Sequence, residues 1–325
     1  MQAREIDMDS IDAEAWNTAA PSWRVAFSRL RMMKVRYSLL SRLRFLEIIE
    51  TSADRAVRIG LCAVIQSAKE VTFYENIQIL PQYIDRWVLA LTAVLERFGA
   101  GEYRYGGTWS LEEPREQLLG QIPGVTINWV RPIIVQGVDF AHWPTWDAYW
   151  RQISNNSRRD FARAQKTYPD LKIEIHRGLE ALKDCLALTQ ERSATYRRKG
   201  LPFHSWRELA SCVAGVLFSP ENTFMALAVA GGRIRAIFQG FELADKTYYI
   251  SGAAGTGANG AGWFLQLSLV KDAYDRRPDG KFVLGYVDYA IHNEAVGGGL
   301  LRSRRAIRAS DWPTSEVQFS YRPGC

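Results

Sequence analysis

The chain has 325 residues, of which 47% are hydrophobic, and a formal net charge of +6. That length and composition allow one large core or two ordinary ones. Four scattered cysteines without a Cys-x-x-Cys pair argue against a disulfide framework or a zinc knuckle, and they favour a reducing, cytoplasmic setting. The acidic, polar first ten residues do not resemble a secretory signal, and no apolar run approaches the roughly 20 residues that span a bilayer.

The first distinctive segment is basic. Residues 24–44 hold seven cations and no acid, interleaved with Leu, Met, Phe and Tyr. A partly amphipathic basic helix of this kind makes peripheral contact with a membrane surface, binds RNA phosphates, or simply lies solvated at the edge of a domain. All three interpretations remain open from the sequence.

An α/β unit is predicted for residues 1–140. Residues 56–80 are rich in β-branched and aromatic residues around a break at 67–70, which indicates strands joined by a turn. Residues 83–98 predict a helix with Ile84, Val88, Leu91 and Leu95 on one face. Residues 124–135 predict a further strand.

A helix is predicted to begin at Thr145, whose hydroxyl can cap it, and to continue to Pro169. In its second half Arg159, Arg163 and Lys166 fall on one face. These three cations are candidate ligands for phosphates or for a substrate carboxylate, or else they form a solvated helix face.

Residues 171–254 predict a strand, two helices and three antiparallel strands. The first helix covers 179–198, with Leu179, Leu182 and Leu186 in register, and the second covers 205–218. Gly231 and Gly232 predict a hairpin between the first two strands.

The segment with the most chemical information is the run from Gly252 to Gly262, which opens directly into a predicted helix. Glycines let the backbone turn with positive φ and approach a ligand closely, while the first amides of a helix attract an anion. The string Gly-Thr-Gly-Ala-Asn-Gly also matches a dinucleotide fingerprint, but it follows antiparallel strands late in the chain, which argues against a Rossmann site.

The last predicted elements are a strand over 281–290 and two closing strands at 305–310 and 315–322. Alternation places Asp288 in a strongly apolar strand, and because burial raises the proton affinity of a carboxylate, Asp288 is a candidate catalytic or substrate-contacting residue. Pairing with Arg302 or Arg305 would instead give it a stabilising role. The three glycines at 297–299 predict a mobile or tightly turned segment.

This order of elements resembles the GNAT superfamily of acyltransferases, in particular its CelD-like and Fem-type aminoacyltransferase branch. The resemblance implies an α/β (α+β) fold of two tandem lobes, each a mixed, mainly antiparallel sheet flanked by helices. It implies a degenerate lobe over 1–140 and a reactive lobe over 141–325.

The same resemblance implies that the glycine loop holds the pyrophosphate of an acyl-coenzyme A. The residues in that position are Gly255, Gly257, Gly260, Gly262 and Trp263. The Arg or Gln that precedes the glycines in the family's Q/R-x-x-G-x-G/A motif is absent here.

Acyl transfer to an amine needs a deprotonated nucleophile, an oxyanion donor and a proton source for the leaving group. The candidate catalytic residues are Asp288, Tyr289, His292 and Tyr249. The candidate substrate-binding residues are Arg159, Arg163, Lys166 and Tyr196. No metal site is expected.

Three functions are compatible with this pattern. The first is an N-acyltransferase that uses acyl-coenzyme A and a small-molecule or peptide amine as acceptor. The second is a Fem-like transferase that takes an aminoacyl group from tRNA, and the third is an inactive GNAT-like scaffold.

Overall fold

A computed structural model describes residues 1–20, 22–36, 42–52, 55–111, 116–255, 257–288 and 294–324. The chain forms two compact units. The first unit comprises residues 1–135, 286–294 and 312–325, and the second comprises 136–285 and 295–311. This differs from the expected consecutive lobes at 1–140 and 141–325, because the chain returns to the first unit near its C-terminus.

The first unit contains a mixed sheet with helices. Its helices are α1 (Ala13–Ala19), α2 (Phe27–Arg36), α3 (Trp87–Phe98) and α4 (Glu116–Leu119), with 3-10 turns at Met8–Ser10, Trp23–Val25 and Pro81–Arg86. Its strands are β1 (Gln2–Ile6), β2 (Arg42–Ser52), β3 (Arg55–Gln66), β4 (Glu70–Phe73), β5 (Gln78–Ile79), β6 (Gly101–Tyr105), β7 (Val125–Asp139, whose last four residues belong to the second unit) and β13 (Ser310–Tyr321).

The strand order in this unit is β1-β2-β3-β4-β6-β13-β7, with β5 beside β3. The pair β4 and β6 is parallel, whereas β1 with β2, β2 with β3, β3 with β4 and β6 with β13 are antiparallel. Helix α3 buries Trp87, Leu91 and Leu95 in the core of this sheet, together with Phe319 of β13. The helix that was predicted to begin at residue 83 begins at Trp87. Ile84 lies in the preceding 3-10 turn and is exposed.

The basic segment 24–44 is not one amphipathic helix. It forms a 3-10 turn, helix α2 and the start of β2, and residues 37–41 lie outside the described ranges. Leu30 and Met33 are buried, and Arg24 and Arg44 pair with Glu75 and Glu5. The apolar side of this segment is therefore used in the core of the first unit.

The second unit also combines helices with antiparallel and parallel strands. Its helices are α5 (Trp146–Gln152), α6 (Asn155–Thr167), α7 (Cys185–Arg198), α8 (Ser205–Phe218), α9 (Ala261–Arg276) and α10 (Glu294–Arg305), with 3-10 turns at Phe140–His142 and Gly178–Asp184. Its strands are β8 (Lys172–Arg177), β9 (Thr223–Ala230), β10 (Arg233–Leu243), β11 (Lys246–Ala254) and β12 (Lys281–Val287).

The strand order here is β12-β11-β10-β9-β8. Strands β8 to β11 are antiparallel and β11 with β12 is parallel, so the expected α/β (α+β) class with mixed, mainly antiparallel sheets is confirmed. Gly231 and Gly232 form the predicted hairpin with φ of 58° and 67°. Among the described residues, no helix is long and apolar enough to cross a membrane.

The helices of the second unit correct two predictions. Thr145 caps α5 by accepting from the Ala148 amide at 3.1 Å, but Ser154 caps a separate helix α6, so the predicted single helix is two. Helix α7 begins only at Cys185, because residues 178–184 form a 3-10 turn, and Leu179 and Leu186 are exposed. Helix α8 begins at Ser205 as predicted, although His204 occupies its N-cap.

The C-terminal prediction was partly wrong, although the strand predicted for 315–322 is confirmed up to Tyr321. Residues 297–299, expected to be mobile or tightly turned, lie inside helix α10, and residues 305–310, expected to be a strand, are its end and a turn. A single long strand, β13, follows instead of two. Its residues Val317–Tyr321 pair with β6, which returns this segment to the first unit.

Candidate functional site

A pocket of about 420 Å³ lies in the second unit beside the end of β11 and the start of α9. Its lining includes Thr195 of α7, Phe238 of β10 and Tyr249 of β11. The glycine loop contributes Gly260 and Gly262, and α9 contributes Trp263, Leu265 and Gln266. The structure therefore brings together Tyr249, part of the glycine loop and Trp263, as the sequence indicated.

At the start of α9 the Ala261 amide donates to the Ala258 carbonyl at 2.8 Å, and the next two amides are available to an anion. Gly260 is the N-cap residue and has no side chain that could cap them, and only its carbonyl is engaged, by the Phe264 amide at 2.9 Å. The amides of Gly262 and Trp263 belong to the first turn, where a helix has no internal acceptor for them. The positive end of the helix dipole adds to their attraction for a negative charge.

Gly260 is required by two constraints at once. Its φ is +90°, and a Cβ at this position would lie 2.2 Å from the Asp160 carbonyl oxygen of α6. The absence of a side chain thus lets α6 pack closely against the start of α9. Tyr168, just after α6, holds the loop further by donating to the Gly257 carbonyl at 2.9 Å.

Two arginines lie at the same loop, although no arginine precedes the glycines in sequence. Arg198 of α7 donates to the Ala254 carbonyl at 3.1 Å. The Arg235 carbonyl accepts from the Gly255 amide at 3.0 Å. The Arg235 guanidinium stacks on the Tyr168 ring, 4.6 Å from its centroid. Positive charge at the loop thus comes from α7 and β10, which the local spacing of residues does not reveal.

Tyr249 is the titratable group that lines the pocket. Its ring packs edge-on against Phe238, with centroids 4.6 Å apart. Burial raises the pKa of Tyr249 above its usual value near 10, while Arg304 and Arg192 act in the opposite direction. The phenol therefore keeps its proton at neutral pH and is suited to donate it.

Arg304 of α10 is a residue that the sequence pattern did not indicate. Its Nη1 is buried and has no hydrogen-bond partner among the described residues. Burial lowers the pKa of Arg304 to about 10, and the nearby Tyr249 opposes this shift. The Arg-Ser-Arg-Arg run at 302–305 could have indicated a cation at the site, but the sequence pattern predicted that a strand begins at residue 305.

Asp288 lies in the first unit and is fully buried. Its Oδ2 is 3.4 Å from Nη1 of Arg131, which also pairs with Glu316. Asp288 thus pairs with an arginine of β7, whereas the sequence suggested Arg302 or Arg305, and Arg305 pairs with Asp311. The candidates Tyr289 and His292 lie outside the described residues.

A second charged cluster in the first unit surrounds Arg24. Its Nη1 is 3.4 Å from Oε1 of Glu75, whose side chain is almost completely buried. Burial raises the pKa of Glu75, and Arg24 opposes the shift. Glu75 has a φ of +67°, in the left-handed region, so the backbone at this ion pair is strained.

The predicted substrate-binding cations of α6 are all exposed. Arg159 and Arg163 contact Asn156 and Asp160 on their own helix, at 3.1 and 2.8 Å. Tyr196 of α7 instead packs against Phe203, with centroids 5.0 Å apart, and Arg192 stacks on its ring. Among the described residues, no group of three or more His, Cys, Asp and Glu side chains is arranged to hold a metal ion.

Solved structures with the same architecture are numerous, although their sequences are distant. FemX matches with a TM-score of 0.69 and 11% identity over 99% of this chain and 97% of its own. The chain has a GNAT-like, Fem-type fold. This likeness concerns the fold alone, because the sequence identity is so low.

Two further structures are similar to this chain. A conserved protein of unknown function from Bacteroides thetaiotaomicron has a TM-score of 0.62 and 13% identity over 98% of this chain and 99% of its own. A tandem GNAT protein from the clavulanic acid biosynthesis pathway has a TM-score of 0.51 and 8% identity over 100% and 99%. No protein-family model and no curated protein matches the sequence.

Proposed function

We propose that the chain is an N-acyltransferase that moves an acyl group from an acyl-coenzyme A thioester to an amine acceptor. The observation that carries this proposal is the second-unit pocket, which combines a helix N-terminus that lacks a side-chain cap with a protonated tyrosine. The likeness to the tandem GNAT protein supports it at the level of the fold. Because acyl-coenzyme A and aminoacyl-tRNA are both found in the cytoplasm, we expect the protein to act there.

The residues at the loop fit the phosphates of such a donor. The amides of Gly262 and Trp263 offer hydrogen bonds to an anion, and Gly260 lets the start of α9 pack closely against α6. Arg198 and Arg235 supply positive charge at the same loop. The apolar side chains of Phe238 and Leu265, which line the pocket, suit the acyl chain of the donor.

The transfer itself forms one bond and breaks one bond. The neutral acceptor amine attacks the thioester carbonyl carbon, the C–N bond forms, and the C–S bond breaks to release the coenzyme thiolate. Tyr249 gives its proton to that thiolate, and the proton that the amine loses restores the phenol through solvent. The raised pKa of Tyr249 favours this role as an acid over a role as a base.

We assign the reaction to the second unit and a stabilising role to the first. Asp288 then serves mainly as the ion-pair partner of Arg131. Tyr289 and His292 lie outside the described residues, so their catalytic role stays a prediction.

The second candidate is a Fem-like transferase that takes an aminoacyl group from tRNA. The full-length likeness to FemX favours it, and so do the exposed cations Arg159, Arg163 and Lys166, which suit phosphate contacts. In that reaction the proton from Tyr249 would go to the ribose oxygen rather than to a thiolate.

A thermal-shift titration with coenzyme A, acetyl-coenzyme A, a long-chain acyl-coenzyme A and aminoacyl-tRNA tests both candidates. A ligand that binds only the folded protein raises its melting temperature. A saturable shift with a coenzyme species that disappears in Gly260→Ala supports the first proposal. A shift with tRNA alone supports the second, and no shift with any donor contradicts both and leaves the scaffold.

A further inference from the structure

Helices α7 and α8 carry an unusual amount of exposed apolar surface. Of eleven large hydrophobic side chains that are exposed among the described residues, six lie between residues 179 and 218. Trp206 is 69% exposed and Leu186 is 54% exposed. Side chains of this size seldom cluster on the surface without a binding role.

A groove joins these helices. It has a volume of about 420 Å³ and lies between Leu186, Ser193 and Arg197 of α7 and Trp206 and Leu209 of α8. We call the groove and the exposed cations beside it the α7–α8 surface. Its remaining lining residues are Thr189, Gln190, Ala194 and Ser205, so none of the residues that line it is acidic.

Positive charge borders the apolar residues of this surface. Arg197, Arg198 and Lys199 follow one another at the end of α7 and are exposed. Arg207 stacks on the Trp206 ring, 5.2 Å from its centroid. The nearby carboxylate of Glu208 is already paired with Arg192. The α7–α8 surface is therefore both apolar and cationic.

We propose that the α7–α8 surface docks reversibly on an anionic lipid bilayer. Trp206 and Leu186 would enter the region between headgroups and acyl chains, where tryptophan is favoured, while Arg197, Lys199 and Arg207 contact lipid phosphates. RNA phosphates would satisfy the cations and a base could stack on Trp206, but Leu186 would stay in water. An acidic protein partner is the other alternative, and the experiment separates it.

This placement moves the predicted membrane contact away from residues 24–44. That segment buries Leu30 and Met33 in the first unit and pairs Arg24 and Arg44 with acids. Its described side chains Leu30 and Met33 are therefore not available to a membrane. The proposal is independent of the reaction, although Thr195 of α7 lines the second-unit pocket while Arg197 lines the groove.

Co-sedimentation of the full chain with vesicles tests the proposal. Vesicles of pure phosphatidylcholine are compared with vesicles that contain phosphatidylglycerol, at low and at high salt. We expect binding to the anionic vesicles only, with weaker binding at high salt. Trp206→Ser, and separately Arg197→Glu with Lys199→Glu, should each weaken that binding at least about tenfold.

Matched controls keep the test specific. Arg31→Glu with Lys34→Glu makes the same change of charge on exposed cations of α2, and Leu89→Glu alters an exposed leucine of α3. These variants should bind vesicles as the wild type does. Circular dichroism and melting temperature establish that every variant is folded.

Three results would overturn the proposal. One is the absence of binding to anionic vesicles, and another is an equal loss of binding in the α2 and α7 variants. The third is binding of tRNA or of an acidic protein through Trp206 and Arg197 without any binding of vesicles, which would assign the surface to that partner.

Discussion

The Arg24–Glu75 and Arg131–Asp288 pairs of the first unit differ in their partners from the buried Arg304 of the second unit. In the first unit, buried carboxylates face arginines, as in Arg24 with Glu75 and Arg131 with Asp288, both at 3.4 Å. In the second unit, Arg304 has a buried nitrogen with no hydrogen-bond partner among the described residues, and it faces the phenol of Tyr249. Tyr249 in turn lines an open pocket.

This contrast separates structural charge from charge that is available to a ligand. A buried ion pair compensates its own loss of hydration, so removing one partner is costly. A buried cation without a carboxylate keeps an unmet electrostatic demand, which a bound anion would satisfy. Arg29 of the first unit is also buried beside a phenol, that of Tyr74. The second-unit pair differs because Tyr249 lines a pocket, which favours that pocket as the reactive site.

The largest expected effect is on the first unit. Arg24→Met leaves the buried Glu75 carboxylate without its cation and should lower the free energy of unfolding by about 3 kcal/mol at pH 7. Burial already raises the pKa of Glu75, and this variant should raise it further. Because a raised pKa favours the folded state when the group is protonated, the loss should shrink as the pH falls.

Urea denaturation at pH 7 and pH 5 measures this change. Arg86→Met is the matched control, because Arg86 pairs with Glu50 at 4.0 Å on the surface. It should lower the free energy of unfolding by less than about 1 kcal/mol at either pH. Equal losses in the two variants would show that the first-unit cluster is not a structural ion pair.

Tyr249→Phe tests the chemistry of the second unit. Loss of the proton donor should lower kcat about 100-fold while donor affinity and stability stay close to those of the wild type. Steady-state kinetics with acyl-coenzyme A measure the effect. Tyr274→Phe is the control, because the Tyr274 hydroxyl donates only to the Trp143 carbonyl, at 3.1 Å, and its loss should leave kcat unchanged.

The glycine loop offers a pair of substitutions that differ in one respect. Gly260→Ala adds a Cβ 2.2 Å from the Asp160 carbonyl oxygen at a φ of +90°, whereas Gly257→Ala meets no atom within 4 Å at a φ of +71°. Both incur left-handed strain of about 1 kcal/mol, but Gly260→Ala must also displace α6. Calorimetric titration should show that Gly260→Ala binds coenzyme at least tenfold more weakly than the wild type, whereas Gly257→Ala binds it equally well. Equal affinities of the two variants would exclude the close approach of α6 to the start of α9 as a basis of coenzyme binding.

Arg304→Met should stabilise the fold while it impairs ligand binding. Because burial lowers the pKa of Arg304 to about 10, its charge destabilises the native state at neutral pH, and the variant should gain about 1 kcal/mol. The sign follows from linkage. Because the pKa of Arg304 is lower in the native state than in the unfolded state, protonation of Arg304 favours unfolding, and the wild-type protein loses stability as the pH falls toward 10. Thermal unfolding should therefore show a gain below pH 10 that declines at higher pH, and a loss at neutral pH would contradict the comparison.

Local signals predicted much of this structure. Thr145 as a helix cap, the glycine pair of the β9–β10 hairpin and the path from β11 through the glycines to α9 each depend on residues close in sequence. Helix α10 was missed because three consecutive glycines usually interrupt a helix. The leucine register of α7 was wrong because a 3-10 turn precedes it, so Leu179 and Leu186 do not share a buried face.

The long-range partners could not be predicted in the same way. Asp288 pairs with Arg131 because the fold of the first unit brings these distant residues together, and the spacing of residues carries no information on such a choice. The pairing of β13 with β6, which divides the units differently from the predicted lobes, is equally non-local. The interaction of Arg304 with Tyr249 also joins residues that are distant in sequence.

The smallest expected effect distinguishes the two donors. Replacing Arg159, Arg163 and Lys166 by Ala removes exposed charges from α6 and should change the free energy of unfolding by less than about 0.5 kcal/mol per site. With a coenzyme donor, affinity should not change, because these cations lie outside the pocket lining. With an aminoacyl-tRNA donor, tRNA affinity should fall, and the slope of log affinity against log salt should decrease by about 0.7 to 0.9 for each phosphate that the variant no longer neutralises. A filter-binding salt titration of wild type and triple variant measures that slope, and an unchanged slope would remove α6 from any tRNA interface.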